Sequence, residues 1–77
     1  MIKETNIDKN HIITLRQELG AQIKEKRWAA NMDQKTLADT IGVHSNTIIK
    51  MEAGIFPTPI DLYIKIGVVL NFKINLV

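Results

Sequence analysis

The reading turns on the nineteen residues Gln34 to Glu52, QKTLADTIGVHSNTIIKME. With Gln34 as position one, Leu37 falls at four, Ala38 at five, Ile41 at eight, Gly42 at nine, Val43 at ten, Ile48 at fifteen and Met51 at eighteen. Each position has a physical reason. Ala38 is small where a following helix must cross closely. Gly42 takes a turn conformation that a side chain would strain. Val43 and Ile48 fill the wedge between two helices. Asp33 supplies an N-cap for the first helix, and Met32 and Leu37 flank it as a hydrophobic staple. Gly54 closes the second helix. Both helices are too short to persist alone, so packing against a further element must hold them.

Upstream, Ile12, Leu15, Leu19 and Ile23 recur at helical spacing, which predicts a helix over 10–29. Asp8 or Asn10 caps its start, and Asn31 stands where a helix end takes a left-handed residue. Residues 1–9 are thin in apolar groups and read as a flexible N-terminal arm. Downstream, Ile55 to Pro59 is a loop. Thr58 as cap, Pro59 at the first helical position and Asp61 at the third mark the start of a fourth helix. Ile60, Tyr63, Ile64, Ile66, Gly67 and Leu70 carry it, and Asn71 ends it. Residues 72–77 alternate apolar and polar until the end, the period of a strand.

Composition narrows the function classes. The 77 residues make one domain, with 10 Lys plus Arg against 8 Asp plus Glu and a net charge of +2. That balance permits a nucleic-acid partner without demanding one. With no cysteine there is no disulfide framework, zinc ribbon or thiol nucleophile. His11 and His44 are far apart, so neither a metal nor a cofactor is expected. No apolar run approaches the ~18 residues of a membrane helix, and residues 1–10 have no signal-peptide core. These features point to a cytoplasmic protein. Ser45 lies in no nucleophile elbow and has no base–acid partner set, so no enzyme is expected.

Two short helices on a glycine turn form the helix-turn-helix pattern. Residues 19–72 resemble the Cro- and phage-repressor-type (XRE-type) helix-turn-helix regulators. The resemblance rests on Leu19-Gly20, Ile23, Arg27, Gln34, Leu37-Ala38, Ile41-Gly42-Val43, Ile48, Glu52 and Gly54 at fixed spacing. It implies a mainly α, four- to five-helix, lambda-repressor-like DNA-binding domain over 10–71 with a short C-terminal β-strand. It also implies that double-stranded DNA is the partner.

The resemblance assigns roles. Gln34 matches a glutamine that contacts a phosphate and braces the reading helix. Ser45, Asn46 and Lys50 match outward positions that read bases: Asn suits adenine, Lys guanine, and Ser reads weakly. Thr47 and Ile49 border that face, Ile49 beside a thymine methyl and Thr47 at the backbone. Lys35 and His44 complete the expected contacts. Lys24, Lys26 and Arg16 add nonspecific attraction, for a shallow salt slope of about 4–6 phosphates per dimer. Arg27 and Glu52 match a buried ion pair that fixes the angle of the reading helix. Plainer readings stand beside these. Asn46 can serve as a helix cap, Lys50 as a solvated lysine, and Arg27 and Glu52 as unrelated surface charges.

The chain also departs from the pattern. Lys26 replaces an apolar residue, and Trp28 occupies a usually exposed position, at the core edge or in an interface. Ile55 and Phe56 stand where basic residues grip phosphate, with Phe56 read first as core. His44 replaces a Ser or Thr cap. A lone strand exposes unpaired groups on both edges. Residues 72–77 are therefore expected to pair with the same strand of a second copy, with Phe72, Ile74 and Leu76 as the dimerising residues; a disordered or merely docked tail is the competing account. The apolar Leu62 and Val68, at usually exposed positions, agree with a buried partner surface. Such pairing spaces two reading helices for a two-fold operator. The expected function is sequence-specific transcriptional regulation as a homodimer on a palindromic operator, with helix 3 in the major groove. The alternative is an antitoxin-type module whose main task is to hold a toxin or other protein partner.

Overall fold

In a computed structural model, residues 8–55 and 59–72 are described; four helices run in the order α1 Lys9–Ala29, α2 Gln34–Ile41, α3 Ser45–Ala53 and α4 Ile60–Leu70. The local signals account for most of the boundaries. Asp8 caps α1, accepting from the Asn10 amide at 2.9 Å, so the helix opens one residue earlier than the spacing suggests. Asn31 is left-handed at φ 55°. Asp33 caps α2, accepting from the Thr36 amide at 2.7 Å. Gly42 ends α2 at φ 78°, and the Gly42 and Val43 amides both donate to the Ala38 carbonyl. Asn71 ends α4 at φ 58°.

The core is small and built around the quoted stretch. Leu37, Ala38, Ile48 and Ile66 are fully buried, and Ile23, Ile41, Met51 and Leu70 nearly so. Met32, Val43, Leu62, Tyr63, Val69 and Phe72 pack against its edge. α3 lies between α1 and α2, whereas α4 packs on α2 and α1. The α1–α3 crossing is close. A Cβ on Gly20 would overlap the backbone carbonyl oxygens of Met51 and Glu52. Backbone cannot give way as a side-chain tip can, so only glycine fits.

Several expectations are corrected. Helix 4 starts at Ile60, with Pro59 at the cap position and no side-chain cap bond; Asp61 is thus at the second helical position. The extended ψ of Pro59, 141°, keeps it outside the helix. Of the apolar stripe on α1 only Ile23 is buried. Ile12, Leu15 and Leu19 are 40–44% exposed, because the close α1–α3 contacts begin near Gln17 and Gly20. Trp28 is not at the core edge but exposed, its ring under the Lys24 ammonium at 4.9 Å. Leu62 is half-buried and packs on the core, while Val68 is exposed. Phe72 is non-helical and half-buried, its amide donating to the Gly67 carbonyl at 2.9 Å. There is no strand among the described residues. Ile74 and Leu76 of the expected strand, residues 1–7 of the arm, and Phe56 and Thr58 lie outside them.

Candidate nucleic-acid interface

The candidate site is α3 and the end of α2 that supports it. Over nine residues α3 has two faces. Ile48, Met51 and Glu52 point inward and are buried, while Asn46, Ile49, Lys50 and Ala53 are exposed. The exposed positions recur at three and four, one continuous strip on the helix. Ser45 and Thr47 are half-buried at its margin, less open than the four exposed positions. Ile49 is 43% exposed, an apolar side chain that leaves much of its surface in water. Ala53 extends the strip by a turn. The sequence reading passes over it because alanine carries no hydrogen-bonding signal.

The N-terminus of α3 is open. His44 stands at the cap with extended backbone and no side-chain cap bond. The Thr47 amide donates to the His44 carbonyl at 2.9 Å. The helix start therefore falls at Ser45, as the motif requires. A capping serine or threonine would bind the first-turn amides itself; among the described residues no side chain does so. His44 and Ser45 line an open hollow of about 530 Å³ with Gly42, Val43, Lys35 and Asp39. Lys35 donates to Asp39 Oδ2 at 2.7 Å across one turn of α2, and both side chains are mostly exposed. The bond to Asp39, reinforced by its charge, holds the Lys35 ammonium above its ordinary range. An exposed pair of this kind is readily exchanged for another anion.

Behind the strip lies a buried polar network. Arg27 Nε donates to Glu52 Oε2 at 2.7 Å and Nη2 to Oε1 at 2.9 Å, a bidentate pair with both side chains buried. Arg27 Nη1 donates to the Met32 carbonyl at 2.9 Å, tying the α1–α2 turn to the same group. The Glu52 hydrogen bond is the main reason that the guanidinium is held above its ordinary range, against the cost of burial. Gln34 Nε2 donates to Glu52 Oε1 at 3.1 Å. One carboxylate at the end of α3 thus fixes α1, the following turn and the first residue of α2. The two-surface-charges reading of Arg27 and Glu52 is thereby excluded. The Gln34–Glu52 bond has no local signature, since eighteen residues separate its partners.

The network leaves Gln34 half-buried with its amide anchored, and among the described residues its second Nε2 hydrogen has no partner. Lys24 and Lys26 are exposed on α1, and Arg16 is half-buried. Among the described residues no helix is long and apolar enough to cross a membrane, and no group of three or more His, Cys, Asp or Glu could hold a metal ion.

A helix-turn-helix family model matches residues 23–76. Over 54 residues, 70% of this chain and 76% of the relative, the sequence is 42% identical to an Archaeoglobus fulgidus protein named as an uncharacterized HTH-type transcriptional regulator. The family match takes in the Arg27–Glu52 pair, both motif helices and α4, and it begins three residues after the Gly20 crossing. On this match and on the paired short helices around Gly42, the chain belongs to the helix-turn-helix family, in its XRE-type branch.

Proposed function

We propose that this protein is a sequence-specific DNA-binding transcription regulator that binds a palindromic operator as a homodimer, with α3 in the major groove. The observation that carries the reading is the two-faced α3, exposed along Asn46, Ile49, Lys50 and Ala53 and pinned from behind through Glu52. An α-helix fits the major groove, and rigid support lets a short polar row discriminate base edges. In this reading Asn46 and Lys50 read bases and Ile49 meets a thymine methyl. Ser45, Thr47 and His44 face the phosphates. Lys35 leaves Asp39 for a phosphate, and Gln34 donates its second amide hydrogen to another. Glu52 keeps that amide aimed. The function needs no cofactor and no catalytic step.

Fragments selected from a random duplex pool supply the operator. Asn46→Ala and Lys50→Ala then weaken operator binding by about 1–3 kcal/mol each and narrow the gap to random DNA. Gln34→Ala weakens every sequence alike. Unchanged discrimination in the first two variants refutes the base-reading assignment. The second reading, an antitoxin-type module that chiefly holds a protein partner, draws on Ile55, which is 65% exposed just past the Gly54 cap of α3.

A further inference from the structure

α4 carries a second apolar row on the side away from the core. Ile66, Gly67 and Leu70 are buried, with Leu62, Tyr63 and Val69 half-buried beside them. Ile60, Ile64 and Val68 recur every four residues on the opposite face and are 47%, 52% and 75% exposed. Three β-branched apolar side chains in a row are a costly surface for a monomer this small. Asp61 and Lys65 flank the row on one side, both exposed. They have the acid-before-base i, i+4 order that favours pairing along a helix, yet neither pairs with the other or with another described residue. On α2, Lys35 and Asp39 have the less favourable order and close at 2.7 Å.

We propose that the outer face of α4 is the surface on which a second copy of this chain docks, antiparallel, about a two-fold axis through Ile64. The pattern is self-complementary in that arrangement. Ile60 faces the partner's Val68, and Ile64 faces the partner's Ile64. A two-fold between antiparallel helices keeps each flank against the same flank of the other copy. Asp61 lies about 4.5 Å before the axis, and the partner's Lys65 about 1.5 Å from it on the same side, so the two charges are about 3 Å apart along the helix direction. Each copy presents an acid to the other's base, twice. A like-charged flank would repel itself across the same axis. α4 packs on α2 and α1, so the docking face and the outward row of α3 belong to different helices. An eleven-residue helix is a short contact, and the dimer is accordingly weak and concentration-dependent.

The inference rests on the homodimer of the proposed function and gives it an interface. The test is sedimentation over a concentration series of the full chain, with circular dichroism as a check on folding. Asp61→Lys and Lys65→Asp should each weaken self-association by roughly tenfold or more, because both flanks then carry one sign. Mixed one to one, they should form a heterodimer of at least wild-type strength, and the double variant D61K/K65D should regain self-association. Ile64→Asp should be monomeric with its helix content intact. Charge variants that dimerise like the wild type overturn the proposal. So does a wild-type chain that is monomeric throughout, or an Ile64→Asp dimer lost only on deleting residues 72–77. A monomer that still binds duplex DNA overturns the interface alone; a dimer indifferent to DNA overturns the regulator reading alone.

Discussion

The two halves of α1 share one helical period and differ in almost everything else. From Gly20 to Ala29 the helix is committed: Gly20 touches the backbone of α3, Ile23 lies in the core, and Arg27 is locked to Glu52 and the Met32 carbonyl. From Lys9 to Leu19 the same hydrophobic rhythm continues through Ile12, Leu15 and Leu19, and each of these is about two-fifths exposed. The family match begins at Ile23, within the committed half. Periodicity therefore specifies that a helix forms, and the neighbouring elements decide which part of its stripe becomes core. Stability belongs to the committed half and to the polar group that joins it to α3.

The largest effect that would sharpen this contrast is at the ion pair. Glu52→Ala leaves the Arg27 guanidinium buried without its counter-charge and releases the Gln34 amide. Removing one partner of a buried pair costs roughly 3–5 kcal/mol, a large share of the stability of a domain this size. Urea unfolding of Glu52→Ala should show a lower midpoint and weaker DNA binding together. Wild-type stability would mean that the carboxylate does not hold the two helices.

A substitution in each half gives the next comparison. Ile23→Ala removes a buried side chain from the core and should cost about 2–5 kcal/mol. Leu15→Ala, eight residues earlier on the same stripe, removes a side chain already 44% exposed and should change stability by about 0.5 kcal/mol or less. Equal losses in urea unfolding would break the comparison, because they would mean that the outer half is covered in solution.

Most of the fold and part of the candidate site are legible in the sequence, and the range over which each residue acts separates the legible part from the rest. Asp33, Asn31, Gly42 and Asn71 act within one turn of themselves, so a local pattern reveals them. The fixed spacing from Leu37 to Met51 encodes a two-helix wedge and so places its own buried residues. Burial beyond the wedge depends on distant packing: Leu19 and Trp28 lie open, and Leu62 turns inward, for reasons no window around them contains. The cap of α4 was displaced by one residue because Thr-Pro-Ile-Asp offers two starts, and Pro59 takes the extended conformation outside the helix. The outward row of α3 was legible. The Gln34–Glu52 bond that stiffens it was not, since it joins residues from two helices.

The smallest effect tests the turn that joins the committed half of α1 to α2. The Thr36 amide donates to the Asp33 carboxylate at 2.7 Å and, with the neighbouring Thr36 hydroxyl and the charges of Lys35 and Arg27, holds its pKa below the usual value. The sign follows from that direction. A carboxylate depressed in the folded state stabilises the fold above its unfolded pKa, near 4, and loses that contribution as the pH falls through the folded value. Asp33→Ala should therefore lower the melting temperature at neutral pH by a few degrees and narrow its gap to wild type below about pH 4. Asp33→Asn separates cap from charge: asparagine accepts the same amide and caps as well, so most of the neutral-pH stability should return while this acid-dependent contribution does not. If Asp33→Asn keeps the full acid dependence of the wild type, the pH response originates elsewhere, and the cap is held by geometry rather than by the ionised carboxylate.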